Sequence, residues 1–270
     1  MQHQWNPNFY QISPLFNSIS PALQRWKDGS EHWPSLSVFN ESIPTEIKNN
    51  NGKTVKFVPQ GKKTENFSEQ YEPRIYERGE VQTREDNWHD FFQVLVWQTY
   101  PRTKSLLNEL HYNASKKRLK EGINQRSPIE NFVTLFDECG AVILTSNARL
   151  VEEIKDARWN SIFVKNRDKF GTEIECTVFG HAMFEKAISP YIGMTSHCLF
   201  LNVDSDFFLL SREEKNKHID LALVSAIESF SDITTKLLSP LPLLGVPGWY
   251  ADQSNEFYNN VSYFRRKREK

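Results

Sequence analysis

The segment Asn87-Trp88-His89-Asp90 places an imidazole and a carboxylate at the start of an apolar stretch that continues to Trp97. At 3.6 residues per turn the apolar side chains cover almost the whole circumference of the predicted helix, so the helix is expected to be buried on most sides. His89, Asp90 and Gln93, which shares a face with His89, cannot all reach water. Buried polar groups must be hydrogen-bonded or metal-bound, and such titratable groups are typical of functional sites.

A second pair of this kind is His181 and Glu185, four residues apart on one predicted helix. That spacing lets the two side chains bind one metal ion or hydrogen-bond each other, although many such pairs are purely structural. His111 could return toward His89 if their two helices form a hairpin. The candidate metal ligands are therefore His89, Asp90, Asp137, Glu138, His181 and Glu185.

One interpretation of these residues is an enzyme. His89, Asp90, His181 and Glu185 would form a catalytic group that acts by general acid-base chemistry or holds a divalent metal that activates water. We expect hydrolysis, because no redox or nucleotide-cofactor motif is present. The residues expected to contact a substrate are two flanking cations and a tryptophan on a Pro-Gly loop: Arg84, Arg102 and Trp249.

The alternative is a non-catalytic binding or adaptor protein. In that case His89 and Asp90 cap the helix N-terminus, where free N–H groups and the helix dipole favour an acidic side chain. The remaining polar residues would then form a buried network that fixes the aromatic core.

Several function classes are disfavoured. The chain has 33 basic and 34 acidic residues, so no overall field favours nucleic acid, and no apolar run is long enough to predict a membrane span. Phosphate-binding, dinucleotide, serine-hydrolase and zincin motifs are all absent, so we expect no nucleotide or nicotinamide cofactor. The expected partner is a small molecule or a protein.

The three cysteines Cys139, Cys176 and Cys198 are widely spaced and odd in number. This pattern indicates buried thiols in a reducing compartment and not a disulfide framework. Because the N-terminus also lacks the layout of a signal peptide, we expect a cytoplasmic protein.

The helices and strands predicted around these residues indicate one mixed α+β domain. Residues 1–50 are an irregular arm whose many large apolar groups, among them Trp5, Phe16 and Trp26, must pack on the core. Residues 51–264 form the domain, and residues 265–270 are a basic tail. Helices are expected from Trp88 to Tyr100, from Pro101 toward Leu119, over 148–157 and 181–188, and from Ser211 to Phe230.

Strands are expected at Thr54–Val58 and at Cys198–Val203. A β-hairpin is predicted over 132–146, with its turn at Cys139-Gly140 and Asp137-Glu138 beside that turn. A second, hairpin-like extended stretch is expected over 74–83, broken at Gly79.

These segments together resemble a proteobacterial family of unknown function, DUF3025. The resemblance runs from about residue 75 to the end of the chain. It rests on five ordered groups of residues: Asn87 to Trp97 with Pro101-Arg102-Thr103-Lys104, Asn108 and His111; Phe136-Asp137-Glu138 with Gly140; Phe179-Gly180-His181-Ala182 with Glu185; Leu241-Pro242 through Trp249; and Phe257-Tyr258 with Phe264-Arg265.

The family pattern differs from this chain at two places: it has Asn at the position of Gln93, and acidic residues at Asn259-Asn260. No activity is established for the family, so the resemblance indicates which residues matter and implies no reaction.

Overall fold

The computed structural model describes residues 4–26, 31–43, 47–62 and 64–267. Parts of the predicted arm and the last three residues of the predicted tail lie outside these ranges. The α-helices are α1 (Ser20–Leu23), α2 (Leu36–Ser42), α3 (Tyr71–Arg78), α4 (Trp88–Thr99), α5 (Pro101–Lys120), α6 (Pro128–Cys139), α7 (Ala148–Lys155), α8 (His181–Ala187), α9 (Arg212–Glu228) and α10 (Asn255–Tyr258).

Two small sheets accompany the helices. The strands are β1 (Lys56–Pro59), β2 (Glu80–Thr83), β3 (Gly140–Thr145), β4 (Ile174–Val178), β5 (Thr195–Asn202) and β6 (Ser239–Pro242). Strands β1 and β2 form a parallel pair. The larger sheet has the order β4-β3-β5-β6, with β3 parallel to β5 and antiparallel to β4. Its central strand β3 is buried along its whole length, as expected of a strand with neighbours on both edges.

The predicted α+β class and the long helices α4, α5 and α9 are confirmed, but the hairpin predicted over 132–146 is wrong. Its first half belongs to helix α6, and only its second half is a strand. Ser127 and Glu130 form a reciprocal capping box around Pro128, which starts a helix strongly. Phe132 and Phe136 then lie one turn apart on the buried face, so helical periodicity outweighs the local strand propensity.

The hairpin-like stretch predicted over 74–83 is also wrong in its first half. Residues Tyr71–Arg78 form helix α3, which ends at Gly79 in the left-handed conformation, and strand β2 follows. A proline in the first helical turn and a glycine just past the last turn are the usual limits of a helix. Gly79 also contacts the backbone of Thr54, where a side chain would clash.

The described part of the N-terminal arm forms short helical turns whose aromatic rings enter the core. Phe16 is 1% exposed and stacks on Phe92 of α4 and on Phe184 of α8. Trp5 stacks on Trp88 at the start of α4. The arm thus ties together the two helices that carry His89 and His181.

Within the described residues, no helix is both long and apolar enough to cross a membrane. The three cysteines are free; Cys176 and Cys198 are buried and Cys139 is half-buried.

Candidate metal centre

His89 lies in the first turn of α4, one residue after the helix begins. The Asn87 side chain caps the helix by accepting a hydrogen bond from the Asp90 N–H. The Asp90 carboxylate is occupied elsewhere, because it accepts from the Arg84 backbone N–H and from the Arg84 guanidinium. The imidazole of His89 is therefore left to face the neighbouring helices α6 and α8.

His181 reaches the same place because α8 approaches the end of α6 very closely. The N–H groups of Phe179 and Gly180 both donate to the Gly140 carbonyl, at 3.0 and 2.8 Å. A Cβ at Gly180 would overlap the backbone of Glu138, Cys139 and Gly140. Only glycine permits this approach, which sets His181 beside Glu138.

Hydrogen bonds fix the tautomers of both imidazoles. His181 Nδ1 lies 2.8 Å from the Asp137 carbonyl oxygen, which can only accept, so Nδ1 carries the proton. His89 Nδ1 lies 2.9 Å from a carboxylate oxygen of Glu185, which likewise accepts. In the neutral form of each ring, Nε2 is then the atom with the free lone pair. These two Nε2 atoms face each other at 2.9 Å.

Two lone pairs at that separation repel unless a proton or a metal cation lies between them. The third donor at this point is the Glu138 carboxylate. Its Oε2 lies 3.8 Å from His89 Nε2 and 3.6 Å from His181 Nε2. In the described residues these three side chains form a group that could hold a metal ion.

The three donor atoms have the spacing of metal ligands. A triangle with sides of 2.9, 3.6 and 3.8 Å has a circumscribed radius of about 2.0 Å, so a point in its plane is equidistant from all three atoms at that length. Zn–N and Zn–O bonds to histidine and carboxylate measure about 2.0–2.2 Å. The spacing of the three donor atoms therefore matches the size of a first-row divalent ion.

The electrostatics also match a cation. Burial lowers the pKa of His181 to about 3, so this ring is neutral and able to ligate near neutral pH. Burial raises the pKa of Glu138, and the nearby Asp137 carboxylate raises it further. For His89, burial opposes protonation, but the hydrogen bond to Glu185 and the charge of Glu138 outweigh it and raise its pKa. A positive charge among these carboxylates is favourable.

A buried hydrogen-bond chain extends from the histidine pair to Tyr71. Lys104 is 4% exposed, and its Nζ lies 2.5 Å from Asp137 Oδ1 and 3.4 Å from Gln93 Oε1. Lysine can only donate, so the oxygen of Gln93 faces Lys104 and its NH₂ group donates to the Tyr71 hydroxyl oxygen at 2.6 Å. Burial raises the pKa of Tyr71, so the phenol keeps its proton and can donate it to a ligand.

The three donor side chains and the chain from Asp137 to Tyr71 line one cavity of about 530 Å³, a size typical of small-molecule sites. Its wall is formed by α3, α4, α5, α6 and the start of α8. The residues that line it near the histidine pair are Tyr71, Arg84, His89, Asp90, Gln93, Lys104, Asp137, Glu138 and His181.

A family model described as "Protein of unknown function (DUF3025)" matches residues 55–268, most of the chain. The chain belongs to the DUF3025 family. No curated protein and no solved structure matches it significantly. The DUF3025 match includes His89, Glu138 and His181, whereas the described residues of the arm before Val55 lie outside it.

The structure brings some of the predicted site residues together and leaves others apart. His89, His181 and Glu185 converge, although Glu185 hydrogen-bonds His89 and not its helix neighbour His181. Asp137 contributes its backbone carbonyl to His181 and its carboxylate to Lys104. His111 lines the same cavity at a different position.

The predicted substrate contacts divide in the same way. Arg84 lines the cavity, but its guanidinium is paired with Asp90. Neither Arg102 nor Trp249 is among the residues that line this cavity. The Arg102 backbone N–H donates to Asp220 of α9, and Trp249 packs on the core.

The sequence prediction does not include Tyr71, and it names Lys104, Asn108 and His111 without joining them into one polar face of α5. Along α5, the residues Lys104, Asn108, His111, Ser115 and Arg118 recur every three or four positions, and all line the cavity. The sequence signal for this face is the repeat of polar residues every three or four positions. In a helix with one apolar and one solvated face such a row lies in water, whereas here Lys104 and Asn108 are buried. Tyr71 was hidden by the wrong assignment of α3.

Proposed function

We propose that this protein is a metal-dependent hydrolase whose divalent ion is held by His89 Nε2, His181 Nε2 and the Glu138 carboxylate. The observation that carries the proposal is the triangle of these three donors, each about 2.0 Å from a common centre. Three protein ligands leave coordination positions for water, as in catalytic zinc sites. An ion held by these three residues would supply Lewis-acid activation of water for hydrolysis.

The surrounding residues take supporting parts in this proposal. Glu185 and the Asp137 carbonyl orient the two imidazoles through their Nδ1 protons, the usual second contact of a metal-bound histidine. Tyr71 donates its hydroxyl proton to an oxygen of the substrate. Hydrolysis requires an activated water and a donor for the charge that develops on the substrate oxygen. The residues around this cavity can provide both.

A second candidate is the non-catalytic binding protein, and one observation favours it. The raised pKa of His89 means that a proton shared between the two Nε2 atoms would also satisfy their 2.9 Å separation. In that case the histidine pair is a structural hydrogen bond, and the cavity binds a partner without reaction.

Metal titration separates the two candidates. The purified protein is stripped with a chelator and titrated with Zn²⁺, Fe²⁺ and Mn²⁺ by calorimetry, because two histidines and one carboxylate suit several of these ions. We expect one equivalent to bind, and at least a 100-fold loss of affinity in Glu138→Gln and His181→Gln. The matched control His111→Gln, which changes a cavity histidine outside the triangle, keeps the affinity of the unaltered protein.

Turnover of chromogenic ester and phosphoester substrates by the metal-loaded protein then tests the hydrolase assignment. Activity should vanish with the chelator and return with the ion. A protein that binds no ion, or one in which His111→Gln weakens binding as much as Glu138→Gln, contradicts the metal site. If the protein binds the ion but turns over none of these substrates, the hydrolase assignment is contradicted and the metal site is not.

A further inference from the structure

The cavity continues well beyond the histidine pair, along the groove between α5 and α6. Its lining includes Glu138 near the last turn of α6 and Glu130 in the first turn. Eight residues of helix separate them, which at 1.5 Å per residue is about 12 Å. A molecule that fills this groove from the metal centre outward is therefore extended.

The middle of the groove carries polar atoms that lack partners. Asn108 is 4% exposed and Trp97 is 1% exposed, and both line the cavity. Asn108 Oδ1 and Trp97 Nε1 are buried without a hydrogen-bond partner among the described residues, and so is Nδ1 of His111. Buried polar atoms normally have partners. One acceptor, one donor and an imidazole together suit a ligand that has both donors and acceptors along its length.

The far end of the groove holds a free cation. Arg84 and Arg118, which also line the cavity, are paired with Asp90 and Glu130. Arg126 is exposed and lines the cavity, and in the part of the chain that the structure describes it makes no hydrogen bond or ion pair. An arginine fork binds carboxylate or phosphate oxygens two at a time, so this end is complementary to an anion.

We propose that the groove takes an extended polar substrate, with the bond to be hydrolysed at the metal centre and a carboxylate or phosphate group at the other end bound by Arg126. This inference rests on the proposed function, because the metal centre defines one end of the groove. It adds the substrate class, which the metal site alone does not supply.

Hydroxamates joined through polar glycine-containing spacers to a terminal group test this arrangement. The hydroxamate binds the ion, and the other end carries a carboxylate, a phosphate or, as the uncharged match, a carboxamide. Affinities are measured by calorimetry on the metal-loaded protein, with spacers of about four to ten atoms. We expect the charged ends to bind about fivefold to tenfold more tightly than the carboxamide at the spacer length that reaches Arg126.

Arg126→Gln should abolish that advantage, so that the charged and the carboxamide probes bind with equal affinity. Lys120→Gln removes an exposed cation that does not line the cavity, so this variant should retain the affinity advantage of the charged probes. A carboxylate or phosphate advantage identifies which anion is preferred. Equal affinity of charged and uncharged probes at every length overturns the anionic end while the metal centre stands. Failure of every hydroxamate to bind overturns the metal centre and, with it, this inference.

Discussion

At the scale of single residues, the orientation of His89 depends on Glu185. The carboxylate accepts the Nδ1 proton at 2.9 Å, and this contact directs Nε2 toward His181 and Glu138. The hydrogen bond from His89 also holds the pKa of Glu185 below its usual range. Glu185 is thus a positioning residue with no place in the donor triangle itself.

Replacement of Glu185 tests this role. Glu185→Ala should weaken metal affinity by about 10–100-fold, the usual effect of losing such a second contact. Glu185→Gln retains an acceptor oxygen and should recover part of the loss, which separates orientation from charge. Competition with a fluorescent chelator measures both. Glu152→Ala, an exposed carboxylate on α7, is the control, and an effect equal to that of Glu185→Ala would contradict the assignment.

At the scale of elements, the site depends on how closely α8 approaches the end of α6. The contact is made by backbone atoms on both sides, with Gly180 against Glu138 and Cys139. The positions of both His181 and Glu138 are therefore set by one contact without intervening side chains.

Gly180→Ala should disturb that contact. The added methyl group must push α8 outward, at a cost of about 1–3 kcal/mol in the free energy of unfolding. Because His181 moves with the helix, metal affinity should fall as well. Urea denaturation and metal titration measure the two effects. Ser189→Ala, an exposed change just after the same helix, should alter neither; retention of full metal affinity in a folded Gly180→Ala protein would show that the contact does not set the site.

The sequence was sufficient to predict the helices that carry His89 and His181, because the apolar patterns and the boundary residues of these helices are local. It also predicted that His89, His181 and Glu185 share a site. The sequence places Glu138 at a turn, because the strand propensity of its segment hides helix α6 and its position beside α8 depends on Gly180. The link from Lys104 to Tyr71 joins α5 to α3 through Gln93, a non-local arrangement that no spacing along the chain encodes.

At the scale of the whole molecule, the N-terminal arm is part of the framework of the site. Phe16 lies between Phe92 and Phe184, whose rings are also in contact with each other. This cluster packs α4 against α8 through rings that do not line the cavity. The arm lies before the segment that matches the DUF3025 family, so residues outside that match contribute to the packing of α4 and α8.

Truncation of Phe16 should destabilise the fold. Phe16→Ala leaves a cavity at a fully buried position and should cost about 3–5 kcal/mol in the free energy of unfolding. Chemical denaturation measures the change. Leu209→Ala, at a side chain that is 85% exposed, should change the stability by less than about 0.5 kcal/mol. Equal effects of the two substitutions would show that the arm does not pack as described.

The arm also brings three indole rings together. Trp5 and Trp33 lie 4.9 and 4.8 Å from Trp88, and 4.9 Å from each other, measured between ring centroids. Chromophores this close couple their electronic transitions, so the cluster should give the folded protein a distinctive near-ultraviolet circular dichroism band. Two of the rings belong to the arm and one to the helix that carries His89. The band is therefore an intrinsic optical signal of arm docking, readable without a label, a ligand or a substrate.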